Sequence, residues 1–216
     1  MLVTNPNPID PAGLRLLLAR HGATAWSDEG RYQGRTDLSL SVSGIAQAAK
    51  LGQWLAEERV EAVIHSGARR AAETVQQALP IPPAFTSLDV DWREIDHGDW
   101  EGLTYRQLET DFPDQARAHW DDPWNIAAPG GETLASVDER VRRAFASLVE
   151  RWAGHTVLLV AHATPLQLLL CQLLGSPPNH YWRWKLDLGS LSCIELYASG
   201  PIVCWLNRGY TRPPVC

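Results

Sequence analysis

The chain has no surplus of positive charge: 19 lysines and arginines face 25 aspartates and glutamates, a net charge of −6. Surfaces that grip a nucleic acid backbone or anionic lipid concentrate cations, so neither partner is expected, although a locally basic pocket is compatible with the total. No apolar run approaches the roughly 20 residues that span a bilayer. The opening MLVTNPNPIDPAG has neither the basic nor the apolar stretch of a secretory signal. Cysteine is sparse, and Cys171, Cys193, Cys204 and Cys216 lie far apart without C-x-x-C spacing. Neither a zinc module nor a disulfide framework is indicated, and the expectation is free thiols in a reducing cytoplasm. H-E-x-x-H spacing, internal repeats and low-complexity runs are also missing.

What is present suits one ordinary globular domain: 216 residues, 45% hydrophobic and 20% charged, enough to bury a core. Residues 1–13, with three prolines, read as a loose N-terminal arm ahead of a single domain over 14–216. Residues 14–19 (LRLLLA), 60–64 and 156–161 (TVLLVA) are short, nearly continuous apolar runs, the pattern of strands buried on both faces. Between them lie helical patterns: 43–58 with Ser43 as N-cap and Ile45, Ala48, Ala49 and Leu55 on one face; 68–79, stopped by Pro80; 134–152, stepping by three or four; and 166–174. Residues 80–131, rich in Pro, Gly, Asp and Trp, form an excursion over the active site. Residues 190–197 and 202–206, broken at Gly200-Pro201, suggest a closing hairpin. Alternating strands and helices predict an α/β fold with a mostly parallel sheet covered on both faces.

In such sheets the ligand crevice lies beyond the carboxyl ends of the strands. The groups there are Arg20-His21-Gly22, His65-Ser66-Gly67 and His162-Ala163, with Arg70 one turn into the following helix. A lone histidine is usually a structural one. Two imidazoles and two guanidiniums at one crevice would repel each other without an anion, and they suit a phosphate, whose oxygens accept bidentate arginine hydrogen bonds. The rival is a metal site on His21, His65 and His162, against which Arg20 and Arg70 count.

The run from Leu18 to Trp26, LARHGATAW, resembles the R-H-G-x-T-x-W signature of the histidine phosphatase superfamily, which includes the phosphoglycerate mutases. The likeness continues through Glu29 to Asp37 (EGRYQGRTD), Leu40-Ser41, Gly44, Ser66 to Thr74 (SGARRAAET), Arg93-Glu94-Ile95, Gly98 to Gly102 (GDWEG), Pro129 to Thr133 (PGGET) and Val160-Ala161-His162. It implies a three-layer α/β/α sandwich of the phosphoglycerate mutase-like kind. It also implies that His21 is the nucleophile, that Arg20, Arg70 and His162 hold the phosphoryl oxygens, that Glu94 donates and accepts the proton, and that Ser27, Gln33, Gly34 and Ala163 bind substrate. No metal and no cofactor is implied. Asp96 and Glu101 are the second choices for the acid. Ser27, Gly67, Ala68 and Ala163 depart from the family's usual Asn, Asp, Leu and Gly.

Mutases keep the phosphoenzyme alive under added positive charge and excluded water. Residues 95–129 carry only Arg106 and Arg117 against carboxylates that run from Asp96 to Asp122. Hydrolysis of a small phosphorylated metabolite is therefore the favoured activity. The alternatives are mutase-type transfer and a non-catalytic phospholigand-binding protein on the same fold. A homodimer is left open, and Trp100, Trp120, Trp124, Trp182 and Trp184 are candidates for stacking on a flat substrate group or for packing under a lid.

Overall fold

The structure, a computed structural model, describes residues 13–209; the expected arm lies outside them except for Gly13, as does Cys216. Along the chain run β1 (Leu14–Arg20), α1 (Ala25–Asp28), α2 (Val42–Leu55), β2 (Ala62–His65), α3 (Arg69–Ala78), β3 (Phe85–Leu88), α4 (Tyr105–Asp111), α5 (Pro113–Asp121), α6 (Leu134–Trp152), β4 (Thr156–Ala161), α7 (Ala163–Leu174), β5 (Leu191–Tyr197) and β6 (Gly200–Arg208). Six strands form one sheet in the order β3-β2-β4-β1-β5-β6. The first four strands of the chain are mutually parallel, and β5 and β6 are antiparallel additions on the β1 side.

Two-sided burial explains the apolar runs. In β1, Leu14, Leu16 and Leu18 enter a core with α6 and α7, whereas Leu17 and Ala19 enter a second core with α2 and α3. Strand β4 splits likewise, with Val157, Leu159 and Ala161 on one face and Leu158 and Val160 on the other. Side chains alternate along a strand, so a central parallel strand must be apolar at every position. The result is the three-layer α/β/α sandwich.

The structure corrects several expectations. The N-cap of α2 is Ser41, whose hydroxyl accepts from the Gly44 N–H, and not Ser43. The buried face of α2 is Gly44, Ala48, Leu51 and Leu55; Ile45 and Ala49 point to solvent. The 80–131 stretch contains a fourth parallel strand, β3, all four residues of which are exposed. As an edge strand it needs no apolar face to pair through its backbone. The same stretch also holds α4 and α5, with Trp100, Leu108, Ala116 and Ala128 as a small core of their own. The closing hairpin turns at Ala198-Ser199, and Pro201 already lies in β6, pairing with Leu196. Proline is tolerated there because β6 is the other edge of the sheet.

Candidate active site

Strand ends and helix starts bring the groups together. His21 follows β1, His162 is the N-cap of α7 directly after β4, and Arg70 lies in the first turn of α3 after β2. The rings of His21 and His162 lie 4.9 Å apart, centroid to centroid. A cleft opens over them in two lobes. One, of about 260 Å³, is lined by Arg20, His21, Ser27, Gln33, Glu94 and Ala163 among others. The other, of about 170 Å³, is lined by Gly34, Arg35, Asp37, Gly67, Ala68, Arg93, Glu94 and His162. Glu94 borders both.

The hydrogen bonds fix which ring nitrogens carry protons. His21 Nδ1 lies 2.7 Å from the Gly22 carbonyl. A carbonyl only accepts, so Nδ1 is the protonated nitrogen and Nε2 keeps its lone pair. Arg70 Nε–H donates to His162 Nδ1 at 3.2 Å, which puts the second proton on Nε2, 2.8 Å from Ser66 Oγ. Burial first, then the charges of Arg70 and Arg20, holds His21 well below the ordinary histidine pKa. His162 is held down in the same way, by burial and then by Arg70. Both imidazoles are therefore neutral near pH 7.

Of the two guanidiniums, that of Arg70 is a buried cation and that of Arg20 a half-buried one that lines the larger lobe. Arg70, only 1% exposed, also donates from Nη2 to the Gly34 carbonyl at 2.8 Å and from Nη1 to that of Thr36 at 3.2 Å. Arg20 donates from Nη1 to the Leu186 carbonyl at 2.7 Å, and its buried Nε has no partner among the described residues. Burial lowers the pKa of both, with Glu94 pulling the other way. Glu94, itself buried, accepts at Oε1 from the backbone N–H groups of Ile95 at 2.9 Å and Thr164 at 3.2 Å.

Glu101 and Asp96, the second choices for the acid, are engaged elsewhere. Glu101 accepts from the backbone N–H and hydroxyl of Thr36 and from the Arg35 N–H. Burial raises its pKa, but these bonds bring it below the usual carboxylate value. Asp96 accepts from the Gly98 N–H at 2.9 Å and lies 3.6 Å from Arg35. Among the expected substrate-binding residues, Ser27 spends its hydroxyl in the cap of α1, accepting from Thr24 N–H at 2.7 Å. Gln33 accepts from Thr24 Oγ1 at 2.6 Å. Ala163 opens α7, and its N–H has no partner among the described residues, as is general for a first-turn donor. His65 lines neither lobe; its Nδ1 accepts from the Gly67 N–H. Among the described residues no three His, Cys, Asp or Glu side chains are grouped to hold a metal ion, and no helix is long and apolar enough to cross a membrane.

Residues 16–208 match the histidine phosphatase superfamily, branch 1. The chain belongs to that family. A bifunctional protein of Mycobacterium tuberculosis is 37% identical over 187 residues, which are 86% of this chain and 51% of the relative. The chain thus spans about half the length of that curated relative. Phosphoserine phosphatase 1 of Hydrogenobacter thermophilus is 33% identical over 198 residues, 90% of this chain and 92% of its own. The solved α-ribazole phosphatase of Shigella flexneri superposes with a TM-score of 0.82 at 28% identity, covering 92% of this chain and all of that one.

Several further side chains support the site. Thr74 accepts from the Gly22 N–H at 3.0 Å and donates to the Arg70 carbonyl at 2.7 Å, tying the His21 loop to α3. It closes the Ser66–Thr74 run (SGARRAAET), four residues after Arg70. Ser66, which holds His162, could have been found by its place just after β2. His97, Tyr32 and Arg31 line the larger lobe; Arg31 and Tyr32 fall in the EGRYQGRTD run, whereas nothing in its local pattern sets His97 apart. None of the five tryptophans named above lines either lobe. Trp100 is fully buried, Trp120 stacks on Tyr105 at 4.4 Å, and Trp124 and Trp184 pack against the α6–α7 core. Trp182 is exposed, with Arg183 beside its ring.

Proposed function

We propose that this chain hydrolyses small phosphomonoesters through a phosphohistidine at His21, without a metal ion. The observation that carries the reading is the unprotonated Nε2 of a neutral His21 beside the guanidiniums of Arg20 and Arg70, with Glu94 bordering both lobes of the cleft. The printed names of relatives, phosphoserine phosphatase and α-ribazole phosphatase, support a small phosphorylated metabolite as substrate.

In the first step the Nε2 lone pair forms an N–P bond while the P–O bond to the alcohol breaks; no base is needed, because that nitrogen carries no proton. Arg20, Arg70 and the positive N-terminal end of α7, where His162 is held between Arg70 and Ser66, oppose the charge on the phosphoryl oxygens. The departing alkoxide takes its proton from the Glu94 carboxyl. In the second step Glu94 takes a proton from water, the new P–O bond forms, and the N–P bond breaks to return neutral His21 and inorganic phosphate.

Two observations favour this over the alternatives. The 95–129 region, which contributes His97 to the larger lobe, has two arginines and a majority of carboxylates, a balance that repels rather than retains a phosphoenzyme meant for a second transfer. His21, Glu94 and His162 are all retained, whereas a mere binding protein has no use for the proton donor. The test is p-nitrophenyl phosphate hydrolysis in EDTA. Full activity in chelator, loss on His21→Ala, and an acid-labile, base-stable phosphoryl group trapped on the wild type support the reading. No hydrolysis of any monoester would favour the binding protein instead, and inhibition by EDTA would sink the metal-free mechanism.

A further inference from the structure

In-line displacement fixes where the alcohol half of the substrate goes. The attacking nitrogen, the phosphorus and the leaving oxygen are collinear, so the leaving group departs on the side of the phosphorus opposite His21. It must also start within reach of Glu94. The larger lobe contains His21 and Glu94, whereas the smaller one contains Glu94 without His21. Resting on the hydrolase reading above, we infer that the smaller lobe receives the leaving group and that the preferred substrates carry there a carboxylate met by Arg93.

The charges of the lobe support this. Arg35 is engaged with Glu132 at 3.0 Å and with Asp96 at 3.6 Å. Asp37 is spent on α3, accepting from the Arg69 N–H at 2.7 Å at the helix's positive end. Arg93 is exposed, and its guanidinium has no hydrogen bond or ion pair among the described residues. One uncommitted cation matches a monoanionic carboxylate better than a dianionic second phosphate. Gly67 and Ala68 leave that wall almost without side chains, and about 170 Å³ suits a leaving group of a few heavy atoms.

The experiment compares phosphoserine with phosphoethanolamine, which differ by the carboxylate alone. For the wild type, kcat/KM is expected to favour phosphoserine roughly tenfold, the order of one charged hydrogen bond at a partly exposed site. Arg93→Met keeps the stem and removes the charge, and should bring the ratio of the two kcat/KM values close to one; Arg93→Lys should restore part of it. The ratio cancels any effect on phosphoryl transfer or folding that both substrates share. A wild-type ratio near one, with p-nitrophenyl phosphate still hydrolysed, overturns this inference and leaves the hydrolase reading standing. A preference that survives Arg93→Met also overturns it. If none of the three esters is hydrolysed, the hydrolase reading fails and takes this one with it.

Discussion

His21 and His162 are buried at 5% and 0% exposure, and burial in the company of arginines keeps them neutral. That state has a cost with a definite sign. An unfolded histidine takes up a proton around pH 6.5, while in the fold both imidazoles stay unprotonated well below that. Below pH 6.5 the unfolded chain thus binds more protons than the native one, so stability is full above that pH and falls as pH drops toward the depressed folded values. The urea midpoint should therefore decrease from pH 7.5 to 5.5, and His162→Asn should flatten the slope; a midpoint that rises on acidification would contradict neutral burial. The proton transfer proposed for Glu94 gives a second expectation. Glu94→Gln should slow hydrolysis of an alkyl phosphate by about 10²–10⁴. The loss of the phosphoryl-transfer step should be far smaller with p-nitrophenyl phosphate, whose leaving group departs without a proton. Equal losses in single-turnover measurements would remove Glu94 from the acid role.

Elements place these residues, and the contact that matters most is between α2 and the loop after β1. A Cβ at Gly44 would stand 2.0 Å from the Ala23 carbonyl, and one at Gly22 would stand 2.5 Å from that of Gly44. The backbones touch where any side chain would separate them, one residue beyond His21. Gly44→Ala is expected to cost roughly 1–3 kcal/mol in overpacking and to lower kcat by moving His21, measurable as a lower melting temperature together with slower turnover; an unchanged kcat would show that the loop is held by other contacts. The sequence displays the elements unevenly for the same physical reason. Strands β1, β2 and β4 are readable because both their faces are covered, and α6 because a single stripe of it is. Strand β3 is hidden because Phe85–Leu88 lies exposed at the sheet edge, where pairing with β2 asks for no apolar pattern. The cap of α2 is misread because Ser41 and Ser43 are equally good cap types, and only packing against Ala23 selects the register. Arg20, His21, Arg70 and His162 are legible as one site because each stands at the carboxyl end of a strand or one turn beyond it. The bond from the Gly22 N–H to Thr74 spans a distance in sequence that no local pattern encodes.

At the scale of the whole molecule, the charge distribution is inverted between surface and site. The chain carries −6 overall, yet the crevice beyond β1, β2 and β4 collects a buried Arg70 and a half-buried Arg20, each with its pKa lowered by desolvation, and leaves the buried Arg20 Nε without a protein partner among the described residues. Buried unpaired cations and donors are destabilising, so an oxyanion that enters the crevice should stabilise the fold beyond its mere occupancy of a surface. Unfolding disperses the strand ends that build the site, and the ligand then binds only the native state. At a hundredfold excess over its dissociation constant an anion adds about 2.7 kcal/mol, a rise of roughly 5–10 °C in melting temperature for a domain of this size. Phosphate or vanadate should produce that rise in EDTA, whereas chloride at matched ionic strength should not. Arg70→Met should abolish the difference between the two salts even if it lowers the starting temperature. Equal shifts from phosphate and chloride would mean that the basic crevice does not select a tetrahedral anion, and the reading of its two arginines would fail with it.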